Sequence, residues 1–170
     1  MNLSLFTTAI EKWKNLEKPY YLLVALIFIL LFNALFFYTL HVLKVSENEL
    51  GFEKFKKLNK LELFFLTVAV APVIETLAFQ YLPIRITEWL TTKATIFNVK
   101  TISAFSISIS TFLFSAAHYE HSFYYALATI PGGILLAYTY INFNKRDRTG
   151  LSTTIIFHTL YNLATFAINF

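Results

Sequence analysis

Four polar side chains lie within apolar stretches of the sequence, where ionisable and amide groups are rare. Glu75 lies in the apolar run 61–82, and later apolar runs contain His118, His158 and Asn162. A run of that length is long enough to cross a bilayer as a helix. A carboxylate at that depth costs several kcal/mol unless other groups compensate it, so it indicates a functional site. We therefore predict that these side chains meet in one buried site.

The types and spacing of these residues suit hydrolysis of an amide bond inside the membrane. A carboxylate removed from water is a stronger base than one in solution, so Glu75 and a neutral histidine beside it are able to activate a water molecule. On a helix, His158 and Asn162 lie one turn apart on the same face. Both are then able to donate to an oxygen that gains charge, as an oxyanion hole does.

The composition places the chain among integral membrane proteins. Of its 170 residues, 56% are hydrophobic and 18% are aromatic, which is more apolar than a soluble domain of this size allows. Charged residues make up 14% and cluster between apolar runs, so the net charge of +4 concerns topology and lipid headgroups. No dense basic patch indicates a nucleic-acid partner. The absence of cysteine rules out disulfides, thiolate ligands and a cysteine nucleophile.

The apolar segments predict an all-α bundle of about five transmembrane helices, in a multi-pass protein of the cell membrane. The predicted spans cover residues 20–43, 61–82, 101–118, 123–143 and a last helix ending at residue 170. Pro72 is expected to kink the second span beside Glu75, and Pro83 to end it. Residues 84–100 are then expected to form an interfacial connector, and residues 144–150 a short basic loop.

Two further segments are predicted to lie in the membrane interface. Residues 1–19 and 44–60 combine lysines with apolar residues, as amphipathic interfacial helices do. The chain is therefore predicted to contain the interfacial segment 1–19 and one membrane domain, 20–170, with its core motifs in 61–170.

Other polar residues of the spans are predicted to serve helix packing. Asn33 is expected to hydrogen-bond to another helix, and Ser152 and Thr153 are expected to cap the last helix. Small hydroxyl residues that let helices approach closely are common in the third span. They are Ser103, Ser106, Ser108, Ser110 and Ser115.

The predicted spans place the three ionisable groups at different depths. Glu75 lies roughly 20 Å into its helix at 1.5 Å per residue. His158 lies near the middle of the last span, whereas His118 lies at the end of the third. For the three to meet, the turn 119–122 must lie within the protein where the cavity opens, or the third span has other boundaries.

Three motifs in this order resemble those of a known family. They are Pro-Val-Ile-Glu75 followed by Phe79, then Phe114-x-x-x-His118, then Thr-Gly-Leu-Ser before His158-x-x-x-Asn162. They are similar to the signature of the CPBP family, the CAAX-protease and bacteriocin-processing intramembrane endopeptidases. The similarity covers about residues 61–170 and includes motif order and spacing.

The resemblance implies a glutamate-dependent protease that acts on a peptide or membrane-anchored substrate. It implies that Glu75 and His118 activate water, and that His158 and Asn162 stabilise the oxyanion. Phe79 and Phe114 are implied as supporting residues.

The first motif departs from the family pattern, which has two adjacent glutamates and an arginine four residues after the second. Thr76 and Gln80 occupy those positions here. A supporting ion pair is therefore lost, and Arg85 either substitutes for the missing arginine or is an interfacial anchor. The departure motivates an alternative, a catalytically impaired family member that acts as a bacteriocin-immunity or binding protein.

A zinc site is a further alternative. Glu75, His118 and His158 are able to form a His2Glu zinc site with an open position. Zinc hydrolases also need a carboxylate base for the bound water, and Thr76 has replaced the obvious one. We therefore expect no metal cofactor.

Asn162 also has an alternative interpretation. Instead of contributing to an oxyanion hole, its amide would bridge two helices.

Overall fold

The computed structural model describes residues 8, 11–50, 58–94 and 98–169. Within these ranges the chain forms no strand and, after the short helical stretch 11–14, six helices. They are α1 (Lys18–Val42), α2 (Glu47–Leu50), α3 (from Lys60 to Ala94), α4 (Val99–Ala117), α5 (Phe123–Asp147) and α6 (Gly150–Asn169). All except the short α2 are long and apolar enough to cross a membrane. The predicted all-α bundle with five spans is confirmed.

α3 alternates between two kinds of helical backbone. Its α-helical segments are Lys60–Phe64, Ala71–Glu75 and Leu82–Ala94, and its π-helical segments are Phe65–Val70 and Thr76–Tyr81. In the π register an N–H bonds to the carbonyl five residues earlier, as Ala71 N–H does to Leu66 O and Leu82 N–H does to Leu77 O. Each π segment is followed two residues later by a proline, Pro72 or Pro83.

The prediction that Pro83 ends the second span is wrong, because α3 continues to Ala94. A proline lacks an N–H, and at the second position of an α-helical segment that loss costs little. In an α-helix the N–H of residue 83 would bond to the carbonyl four residues earlier, which is Phe79 O. Because Pro83 has no N–H, this carbonyl accepts instead from Ser110 Oγ of α4, 2.6 Å away. Residues 84–94 are therefore helical and not part of a connector.

The basic loop predicted at 144–150 is also shorter than expected. α5 continues to Asp147 and ends at Arg148, whose backbone is left-handed with φ 60°. α6 then begins at Gly150, where a Cβ atom would collide with Tyr140 O and lie 2.7 Å from Asn144 Cβ. Only glycine permits this close approach of the two helix ends.

Ser152 and Thr153 do not cap α6 as predicted, because they lie inside its first turn. The Ser152 hydroxyl donates to Thr149 O, 3.1 Å away, whereas the oxygen of a capping side chain accepts from an N–H of the first turn. Thr153 N–H already bonds to Thr149 O at 2.9 Å.

α5 lies at the centre of the bundle. Within its apolar window 56% of the residues are buried, against 17–28% in the other spans. Gly133 brings α5 against α4, because a Cβ atom there would lie 3.2 Å from Phe114 Cδ1 and from Thr111 Cγ2. The buried cluster that joins α1, α4, α5 and α6 contains Tyr21, Leu22, Ala25, Ile29, Phe114, Leu135, Leu136, Phe143 and Phe157.

The segment before α1 packs on the bundle where it is described. Residues 11–14 are helical, and the Trp13 ring stacks on Tyr21 with centroids 4.7 Å apart. The guanidinium of Arg146 donates to Lys14 O and Leu16 O, which fixes this segment to the end of α5. Residues 1–7, 9–10 and 51–57, on which the two interfacial predictions partly depend, lie outside the described residues.

The serines of α4 pack and bond locally as predicted. Ser103 and Ser108 donate to the carbonyls four residues earlier, Val99 O and Ala104 O, each over 3.0 Å. Ser106 and Ser115 are buried between helices.

Candidate active site

A cavity of about 690 Å³ lies between α1, α3, α5 and α6 and extends to the turn after α4. Glu75, His118, His158 and Asn162 all line it. Glu75 ends the α-helical segment between the two π segments, His118 directly follows α4, and His158 lies in the middle of α6. Most of the remaining wall is apolar, including Ile29, Leu63 and Phe157.

The three ionisable groups predicted to meet lie around one point. Glu75 Oε2 is 3.5 Å from His158 Nε2 and 3.9 Å from His118 Nε2. Both separations exceed ordinary hydrogen bonds, and the longer one, to His118, leaves room for a water molecule that contacts both groups. The His158 side chain is 3% exposed, whereas those of His118 and Glu75 are 14% and 25% exposed. The site is therefore reachable from the cavity through the carboxylate and His118.

The hydrogen bond of His118 fixes the proton position on its ring. His118 Nδ1 is 2.7 Å from Phe114 O. A carbonyl oxygen only accepts, so Nδ1 carries the hydrogen and the Nε2 of the neutral ring keeps its lone pair. That lone pair faces Glu75 Oε2, in position to accept a hydrogen from a water molecule between them.

His158 is held by the residue that replaces the second glutamate of the family motif. Thr76 Oγ1 is 3.4 Å from His158 Nδ1, and the Thr76 side chain is fully buried. A hydroxyl donates or accepts, so Thr76 supports either tautomer of His158. When Thr76 donates, His158 Nε2 carries a hydrogen towards the cavity.

The cavity reaches the turn that follows α4, but the turn does not lie within the protein as one expectation required, since Tyr119 is 63% exposed. α4 ends at Ala117, close to the predicted boundary, and His118 to Glu120 form a 3-10 turn. His121 and Tyr125 from this turn and from α5 line the same cavity as Glu75. The predicted span is kept, and the turn itself forms part of the site.

Asn162 points into the same region but also joins two helices. Its Nδ2 donates to Thr67 O in the first π segment of α3 over 2.7 Å. In the π register, Thr67 O would bond to the N–H of residue 72, which is a proline. The Asn162 amide therefore supplies a bond that Pro72 cannot make. One of its two amide hydrogens remains for another acceptor.

Sequence reasoning missed several residues that line the cavity. Tyr125 stacks on His118 with ring centroids 5.7 Å apart, and no motif pointed to it. Asn33 Nδ2 donates to Tyr161 OH over 2.5 Å, which confirms the predicted interhelical bond of Asn33 and places it at the site. Tyr161 lies three residues after His158, so helical spacing alone was able to place it on the same face.

A comparison with protein families decides the relationship of this chain. Residues 57–164 match the family described as Rce1-like, type II CAAX prenyl endopeptidase Rce1-like. The chain belongs to this CAAX-protease family. No curated protein and no solved structure matches it. The match covers more than half of the chain and excludes α1, so Asn33 reaches the site from outside the matched region.

The aromatic residues of the family motifs pack against the two imidazoles. The Phe114 ring is 4.6 Å from the His118 ring and 5.8 Å from the His158 ring, and Phe79 packs edge-on against it at 6.1 Å. These rings hold both imidazoles in place and exclude water from one side of the site.

Among the described residues that line the cavity, no Lys or Arg takes the place of the arginine in the family motif. Gln80 is fully buried, and its amide atoms have no hydrogen-bond partner among the described residues. Arg85 does not line the Glu75 cavity; its Nη1 is 4.0 Å from Glu88 Oε2, and it borders a separate pocket. Arg85 is therefore not a substitute for the family arginine.

The zinc alternative depends on whether the residues suit a metal ion. Across residues 11–50, 58–94 and 98–169, no group of three or more His, Cys, Asp or Glu side chains is arranged to hold one. A zinc ion on both imidazoles would also need a bare His158 Nε2, which requires Nδ1 to donate to Thr76. The two chemistries therefore require different tautomers of His158. Zinc binding needs a bare Nε2, whereas an oxyanion hole needs a hydrogen on Nε2.

Proposed function

We propose that this protein is an intramembrane endopeptidase of the cell membrane that cleaves a peptide bond in a peptide or membrane-anchored substrate. The observation that supports it most is the placement of the Glu75 carboxylate 3.5 and 3.9 Å from two imidazole nitrogens inside a largely apolar cavity. Membership of a family of CAAX endopeptidases agrees with the chemistry.

In the proposed mechanism, a water molecule lies between Glu75 Oε2 and His118 Nε2. Glu75 removes a proton from the water, the oxygen attacks the substrate carbonyl carbon, and His118 orients the water through its Nε2 lone pair. The carbonyl oxygen gains charge and accepts hydrogen bonds from His158 Nε2–H and the remaining Asn162 amide hydrogen. Glu75 then returns its proton to the leaving amine as the carbon–nitrogen bond breaks.

The test uses purified protein in liposomes and peptides that end in a CAAX sequence, with and without a prenyl group, because the family description names prenylated CAAX substrates. Cleavage is followed by mass spectrometry. Glu75→Gln is expected to lower the rate by about 10²- to 10⁴-fold, because the general base is lost. Glu17→Gln, the same change at an exposed position, is the control and should cleave normally. Cleavage retained by Glu75→Gln would exclude Glu75 as the base.

We further propose that the reaction needs no metal ion. Thr76 occupies the position of the second family glutamate, and Glu75 is the only carboxylate among the described residues that line the cavity, so a metal bound by Glu75 would leave its water without a base there. Cleavage by the wild-type protein should therefore persist after dialysis against EDTA or phenanthroline. Loss of activity with a chelator, and its return with added zinc, would favour the His2Glu alternative.

A second function, that of a non-catalytic immunity or binding protein, is supported by the altered first motif. Thr76 and buried Gln80 replace the glutamate and the arginine of the family pattern. A bacteriocin challenge of cells that express Glu75→Gln distinguishes the two functions. Protection equal to that of the wild type would favour binding, whereas its loss would favour proteolysis.

A further inference from the structure

A second, more polar pocket lies at the end of the bundle where α3, α5 and the loop before α6 meet. Its volume is about 430 Å³. It shares no lining residue with the Glu75 cavity. The side chains that line it all carry hydrogen-bond donors: Tyr81, Arg85, Tyr140, Asn144 and Arg148. Two guanidinium groups in one pocket suit an anionic ligand.

The two arginines are little used by the protein itself. The Arg148 guanidinium makes no hydrogen bond or ion pair with the described part of the chain. Arg85 Nη1 is 4.0 Å from Glu88 Oε2, at the limit of an ion pair, and the Arg85 side chain is 56% exposed. Asp147, the acid next to Arg148, is engaged elsewhere, with Thr149 Oγ1 at 2.5 Å and Lys18 Nζ at 3.3 Å.

The backbone fixes the loop that carries Arg148 over the pocket. Arg148 adopts φ 60°, a conformation that non-glycine residues adopt with some strain. Gly150 packs directly against Asn144 and Tyr140, so the loop has little freedom. The floor is rigid as well, because the Tyr140 ring is buried and meets the Tyr81 ring edge-on at 6.0 Å.

We propose that this pocket binds a phosphate group, with Arg85 and Arg148 as the cationic ligands and Tyr81, Tyr140 and Asn144 as further donors. Arginine pairs with phosphate oxygens through two parallel N–H groups, which a lone lysine cannot do. The pocket lies beside the end of α5 and the start of α6, next to the charged pair Lys18 and Asp147, which suits a position level with lipid headgroups. The phosphate belongs either to an anionic phospholipid or to a free phosphate ion.

The test measures binding to the wild-type protein in detergent micelles. Native mass spectrometry counts bound phosphatidylglycerol and, in parallel, phosphatidylcholine, and thermal unfolding is followed with and without inorganic phosphate. Arg148→Asn removes the cation with a residue that tolerates φ 60°. Arg85→Gln removes the other cation, and Lys100→Gln, an exposed cation away from the pocket, is the control.

Each arginine variant is expected to weaken phosphatidylglycerol binding by about tenfold, the loss of one charge-assisted contact, while the control binds normally. Stabilisation by inorganic phosphate that Arg148→Asn abolishes would identify a free anion as sufficient. Selectivity for phosphatidylglycerol without an effect of inorganic phosphate would identify the lipid. Equal binding of both lipids together with no phosphate effect, or unchanged binding in both arginine variants, would overturn the proposal.

Discussion

The two π-helical segments of α3 have the same construction but different surroundings. Each is followed by a proline whose missing N–H leaves a nearby carbonyl oxygen without a partner, Thr67 O in the π register and Phe79 O in the α register. Asn162 from α6 donates to Thr67 O in the first segment, and Ser110 from α4 donates to Phe79 O in the second. Asn162 lies in the Glu75 cavity, whereas Ser110 is buried outside it.

The comparison shows that one side chain is able to serve both the fold and the site. Unpaired carbonyls are costly inside a membrane, so both donors stabilise α3. Only the donor at the first segment also faces the proposed reaction centre. Ser110 is therefore a matched control for the structural part of the role of Asn162.

Among changes that test this comparison, the largest expected effect is that of Asn162→Ala. We expect cleavage to fall by about 10²- to 10³-fold, the loss that follows removal of one oxyanion donor. Asn162→Asp, which keeps the shape and loses the donors, should fall similarly. Both are measured with the liposome cleavage assay and by thermal unfolding. Normal cleavage in both variants would leave Asn162 as a helix bridge alone.

Thr76→Val is expected to have the next largest effect. Thr76 lies in the second π segment, but its side chain contacts His158 of the site. The change removes the hydroxyl at His158 Nδ1 and keeps the side-chain volume. Cleavage should fall about tenfold, the equivalent of one hydrogen bond that holds the imidazole. Thr76→Ser should restore most of the rate. Equal rates in wild type and Thr76→Val would show that the hydroxyl does not orient His158.

Ser110→Ala should affect stability and leave cleavage nearly unchanged. It leaves Phe79 O without its side-chain donor, at a cost of about 1 kcal/mol. We expect a lower thermal unfolding midpoint and a cleavage rate within about twofold of wild type. The lost hydrogen bond reduces the fraction of protein that is folded but does not change the site of each folded molecule. A loss of cleavage as large as that of Asn162→Ala would remove the contrast between the two segments.

The smallest effect is a coupling between Pro72 and Asn162. Pro72→Ala supplies the N–H that the π register lacks, so Thr67 O gains a second donor. In the Asn162→Ala background, Pro72→Ala should recover about 1 kcal/mol of stability without recovering cleavage. If Pro72→Ala changes the unfolding midpoint by the same amount with and without Asn162→Ala, the N–H of residue 72 does not replace the Asn162 amide as the donor to Thr67 O.

The sequence was sufficient to predict the spans and the convergence of Glu75, His118 and His158, because a carboxylate within an apolar run needs polar partners from other spans. It was not sufficient for the path of α3. Proline usually marks a helix end, but α3 continues past Pro83, where Ser110 from another helix donates to the carbonyl of Phe79. Contacts between helices decide such positions, so local sequence rules fail there.

Contacts between helices also account for what was missed at the site. Tyr125 contacts His118 because the first turn of α5 packs against the end of α4. The second role of Asn162 depends on the π register of α3, for which the sequence carries no clear signal.

The proposed mechanism places Glu75, His118 and His158 around one water-binding position. The most direct test of this arrangement is solid-state NMR of the protein in liposomes, with carbon-labelled glutamate and nitrogen-labelled histidine. Separations of 3.5 and 3.9 Å predict dipolar contacts from the Glu75 carboxyl group to Nε2 of both His158 and His118. The nitrogen spectra should show a bare Nε2 on His118 and a protonated Nε2 on His158. Absence of a contact from either ring to Glu75 would contradict a common water-binding centre.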